Sequence, residues 1–96
     1  MQHTIVIPTF QTIEVKLPLY FRKEYHIYAI TDDNRAVCAS WWPALNEGSI
    51  ITTDADSAMR SYTPGSEVTA EEFEAQAERA MQYITAAVEA AKSVTA

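Results

Sequence analysis

The chain has 96 residues, 48% hydrophobic and 21% charged, a composition that fits one globular folding unit and does not predict disorder. Its net charge of −6 repels phosphate backbones, because nucleic-acid affinity comes from Lys and Arg displacing counterions, so direct DNA or RNA binding is not expected. No apolar run approaches the ~18 residues of a membrane span, the first residues lack a signal pattern, and Cys38 is the sole cysteine; together these read as cytoplasmic, with no membrane contact.

In chain order, Ile5, Val6 and Ile7 make a short β-favouring run closed by Pro8, so residues 1–8 are expected to be an arm or an edge strand. Residues 13–17 alternate apolar and charged. A period of two sends Ile13, Val15 and Leu17 to one face and Glu14 and Lys16 to water, a half-buried strand ended by Pro18. Residues 25–30 and 35–42 are β-favouring runs separated by Thr31, Asp32, Asp33 and Asn34. Aspartates close their own turns through side-chain hydrogen bonds, and asparagine tolerates the left-handed backbone, so this pair is the clearest hairpin. Loop length sets its register, and each choice turns a different set of side chains inward.

Pro43, Asn46 and Gly48 punctuate the next stretch, after which β-branched residues 49–53 read as a final strand. Residues 54–61 are expected to hold one or two helical turns, capped by Thr53 or Asp54, before Thr63, Pro64, Gly65 and Ser66 break the chain.

Thr69 and Glu72 have capping-box spacing, with Val68 and Phe73 placed as a hydrophobic staple, so a helix starts here. Phe73, Ala77, Ala80, Ile84, Ala87 and Ala91 then recur at steps of three and four, with Met81 and Val88 widening the stripe. Beyond Val88 the stripe offers almost only alanine, little area at ~25 cal/mol per Å². The helix is therefore expected over about 70–91, with 92–96 a frayed tail; otherwise its small residues admit another helix, from a second copy. The predicted fold is one α+β domain over residues 1–96. A small antiparallel sheet of three or four strands, with hairpin 25–42 central and flanked by 13–17 and 50–53, carries the long helix on one face through Phe73, Ala77, Ala80, Met81 and Ile84.

Chemistry is sparse. The only glycines are Gly48 and Gly65, so no phosphate-cradling loop exists, and no cofactor site is expected. His3, His26 and Cys38 share no metal-ligand spacing, and Asp32, Asp33, Asp54 and Asp56 read as turn and cap residues, so no metal site is expected. The only nucleophile and base that can be drawn together are Cys38 and His26, near cross-strand neighbours in one hairpin register. A small residue in a strand is ordinarily packed and inert, no oxyanion hole is visible, and Glu14, Glu24, Glu47 and Glu67 carry no paired spacing. No catalytic residue is assigned, and no enzyme is expected.

Aromatic residues stand out instead. Tyr20, Phe21, Tyr25, Tyr28, Trp41 and Trp42 cluster around the predicted sheet, and alternation places Trp41 and Trp42 on opposite faces. One of the two then faces outward, or the pair straddles the strand end with one in the core and one under the loop at 43–49. Tyr28, Trp41 and Trp42 are thus the candidate interaction residues, since exposed Trp and Tyr are typical interface anchors. Arg22, Lys23, His26 and Arg35 lie among these aromatics as in single-strand nucleic-acid platforms, but four such residues are few on a chain of net −6. The expected role is a non-enzymatic protein–protein interaction or structural module, self-association included. The alternatives are an acidic decoy occupying the basic groove of a nucleic-acid enzyme and, third, an enzyme using Cys38 and His26 with a reactive thiol.

Overall fold

The computed structural model describes residues 2–6, 12–32 and 34–95. Pro8, Asp33 and Ala96, which entered the expectations for the arm, the hairpin loop and the tail, lie outside the described residues. The chain is α+β. A two-stranded sheet pairs β1 (Gln2–Val6) with β2 (Thr12–Lys16), and a four-stranded antiparallel sheet runs in the order β3 (Leu19–Lys23), β4 (His26–Ile30), β5 (Ala36–Trp42), β6 (Glu47–Thr53). Helix α1 (Ala55–Met59) and helix α2 (Ala70–Thr95) follow.

The central hairpin is β4–β5, as expected, and its loop is closed by Asp32, whose carboxylate accepts from the amides of Asn34 (2.8 Å) and Arg35 (2.9 Å). Left-handed backbone occurs in the neighbouring turns, at Glu24 (φ 56°) and Asn46 (φ 55°).

One strand assignment needs correction. The segment at 13–17 does not flank the hairpin: β2 pairs with β1, and the place beside β4 belongs to β3, with Phe21 opposite Tyr28 and Leu19 opposite Ile30. The reason is packing. Leu19 and Phe21 point into the core while Arg22 and Lys23 reach water, so β3 buries apolar area that an amphipathic 13–17 strand would not add at that position.

The sheet has two unlike faces. One carries Leu19, Phe21, Ile30 and Ala36, which form the main core with Leu17 and with Ala55, Ala58 and Met59 of α1, and Tyr28, half-buried, packs against it. Asp54 stands at the α1 N-cap with extended backbone but makes no capping hydrogen bond, so packing holds this short helix. The other face carries Tyr20, Ile27, Ala39, Trp41 and Gly48 and receives α2. There the Thr69 hydroxyl accepts from the Glu72 amide (3.1 Å), Phe73 meets Tyr20 at 5.7 Å between rings, and Ala80 is fully buried.

A Cβ built on Gly48 would lie 2.8 Å from the Ala80 Cα, so glycine is what lets the helix approach this strand. The helix is also clamped by Gln76, whose side-chain amide donates to the carbonyls of Ala39 (2.7 Å) and Tyr25 (2.9 Å). Met81, expected against the sheet, is 50% exposed, and the helix continues to Thr95, past the predicted end at 91. Both follow from geometry: a helix of 26 residues is about 39 Å long, roughly twice the span of a five- to seven-residue strand. Its second half has passed the sheet.

Candidate functional site: the open half of the sheet

Alternation and register decide what the face opposite α2 presents. Tyr28 pairs with Cys38, His26 with Ser40, Cys38 with Ile51, and Trp42 with Glu47, so all of these share one face. Helix α1 covers the end of that face holding Ile30 and Ala36, and Tyr28 packs against the border of this core. The remainder carries Tyr28, His26 and Trp42, each half-buried, and Ile51, which is 56% exposed.

The aromatic groups are in contact. The Tyr28 ring stacks on Phe21 (5.0 Å between centroids, 15° between planes), and its hydroxyl accepts from the Ser61 hydroxyl at 3.4 Å. His26 lies between two rings, 6.4 Å from Tyr28 and 5.8 Å from Trp42, the latter edge-on at 86°. Such contacts add to area burial and hold the row in one conformation. Two of the three proposed interaction residues, Tyr28 and Trp42, therefore lie on this surface. Trp41 is on the other side, its ring beneath the Arg79 guanidinium (5.4 Å) and against the Gly48–Ala80 approach.

Beneath the row runs a polar string. His26 Nδ1 and the Ser40 hydroxyl share a hydrogen bond of 2.5 Å, and Ser40 Oγ lies 3.5 Å from Cys38 Sγ. The observed register thus does not pair His26 with Cys38, and Ser40 stands between them. Ser40 and Cys38 are each only 2% exposed, and the string satisfies a buried hydroxyl. Among the described residues no three His, Cys, Asp or Glu side chains gather as metal ligands, and no helix is long and apolar enough to cross a membrane.

The two edges of the four-stranded sheet also differ. Beside β3, the Arg22 amide donates to the Ser66 carbonyl (3.0 Å) and the Tyr20 carbonyl accepts from the Val68 amide (2.9 Å), so the segment 66–68 covers that edge. Beside β6 no strand pairs among the described residues.

The sequence pointed to Tyr28 and Trp42 through aromatic excess. It did not point to Ser40 or Ile51, which join the surface only through the β4–β5–β6 register. No protein family, curated protein or solved structure matches the chain in comparison.

Proposed function

We propose that this protein is a non-enzymatic protein–protein interaction module whose docking surface is the open half of the sheet, with Tyr28, His26, Trp42 and Ile51 as its anchors. The observation that carries this reading is the row of three ring side chains, His26 against Tyr28 on one side and Trp42 on the other, running from the border of the α1 core across the face opposite α2. Preorganised aromatic residues lose little conformational entropy on binding, so a contact made there keeps most of its gain. The candidate nucleophiles support the same view, since the Cys38 thiol and the Ser40 hydroxyl lie beneath the surface.

The test compares the wild-type protein with Trp42→Ala in affinity capture and in sedimentation over a concentration series. A partner protein retained by the wild type and lost with Trp42→Ala, whatever the oligomeric state, is the expected result. A wild-type chain that captures no partner would sink the reading.

A further inference from the structure

We infer that β6 is a self-pairing edge: two copies join through antiparallel β6 strands about a two-fold axis at Ile51, extending the sheet from four strands to eight. This deepens the proposed function by naming a partner for the sheet, and it rests on that reading for what the enlarged surface then does.

The backbone geometry comes first. In an antiparallel ladder successive residues turn their N–H and C=O groups to opposite sides. The Trp41 amide donates to the Tyr25 carbonyl (3.0 Å), toward β4, so Trp42 turns toward β6, and so do Ser40, Cys38 and Ala36. Their partners on β6 are Glu47, Ser49, Ile51 and Thr53. Gly48, Ile50 and Thr52 are left turning their backbone groups outward, and among the described residues no hydrogen bond reaches these groups. The same rule turns Tyr20 and Arg22 of β3 outward, and those are the residues that the 66–68 segment satisfies. One edge is closed within the chain and the other is open.

Composition then names the occupant. Open edges are ordinarily protected by a charge, a proline, a bulge or a very short strand. From Gly48 to Thr53 the strand has none of these, and its β5 pairing is unbroken over seven residues. On a chain of net −6, an uncharged strip is where two identical copies can meet without opposing like charges.

The register follows from α2. Gly48 is buried beneath Ala80, which leaves Ile50 and Thr52 as the accessible outward pair. Pairing Ile50 with the second copy's Thr52, and the reverse, puts Ile51 opposite itself at a close, non-hydrogen-bonded position. That contact covers the most exposed apolar side chain of the open face. It also joins the row Phe21, Tyr28, Cys38, Ile51 to its equivalent in the second copy, because these four are successive cross-strand partners. The product is one continuous aromatic platform in place of two separate ones.

The experiment is sedimentation of the full chain over a wide concentration range, with hydrogen exchange of individual amides. The wild type should form a dimer in which the Ile50 and Thr52 amides become protected as concentration rises. Thr52→Pro removes an outward N–H and no bond to β5, so it should leave the circular dichroism unchanged while weakening the dimer roughly tenfold or more. Ile51→Lys, which places like charges face to face, should do the same without a backbone change. Trp42→Ala should leave the dimer intact, which separates this inference from the docking function: a dimer that captures no partner overturns the function alone. A wild type monomeric at every concentration, a dimer surviving both edge variants, or protection of Ile50 and Thr52 only when a different protein is added, would each overturn self-pairing.

Discussion

On the α2 side of the sheet the closest contacts are made by small and polar groups: Ala80 against Gly48, and the Gln76 amide on two strand carbonyls. On the α1 side they are made by large apolar ones, Phe21 and Ile30 fully buried with Met59 and Leu17 around them. The longer helix has fewer fully buried residues, since Ala80 is its one described residue in the buried core, whereas the five-residue α1 contributes Ala55, Ala58 and Met59. Length is therefore a poor guide to where stability resides. The α1 side works by area and the α2 side by close fit, and the two respond to opposite kinds of substitution.

The largest effect is expected on the α1 side. Phe21→Ala empties a site that touches Tyr28 and Tyr62 at 5.0 and 5.3 Å, and should cost about 3–5 kcal/mol in urea denaturation, a large share of a small domain's stability. On the α2 side the damaging change is addition. Gly48→Val drives a branched side chain into the Ala80 backbone and the Trp41 ring, and should cost roughly 1–3 kcal/mol while shifting Trp41 fluorescence. Were Gly48→Val harmless and Phe21→Ala mild, the division between area and fit would fail.

The smallest effect concerns the loop that closes the α1 side. Tyr62, packed edge-on against Phe21, donates its hydroxyl to the Glu67 carboxylate, which also accepts from the Gly65 amide at 2.9 Å. The Tyr62 hydrogen bond, aided by backbone donors, holds the Glu67 carboxyl below its usual range. Its contribution is thus present above the unfolded value of about 4.3 and lost as pH falls through the lower folded value. Burial, then Glu67, pushes Tyr62 up to about 12, so its contribution is complete below pH ~10 and lost as pH rises from there toward 12. Glu67→Gln should flatten the acid limb of the stability profile and shorten the alkaline limb, which still starts at the unfolded tyrosine value but ends sooner. The change should stay under about 1 kcal/mol because the carboxylate is exposed and screened. An acid limb unchanged by Glu67→Gln would count against the pair.

Much of this architecture was readable from residue order. The helix start at Thr69, the turn aspartate Asp32, the β4–β5 hairpin and the β6 run all show in spacing and composition, because each is a local preference agreeing with the fold. Strand β3 was not readable, because its five residues follow Pro18 and mix two inward apolar groups with two cations. Its identity as a strand comes from what it lies beside. The same holds for the candidate site: aromatic excess marked Tyr28 and Trp42, but which tryptophan leaves the helix face depends on register, a relation between strands that no single segment encodes. The open β6 edge is a still more distant property, visible only once the strand order is known and the β3 edge has been assigned its neighbour.

Cys38 sits on β5, one strand in from that edge, 2% exposed and beside Ser40. As the chain's single thiol, it gives the molecule a built-in reporter at its centre. A labelling reagent can reach it only when β5 is uncovered, so the labelling rate measures how often the middle of the sheet opens. No engineered probe is needed to follow that opening.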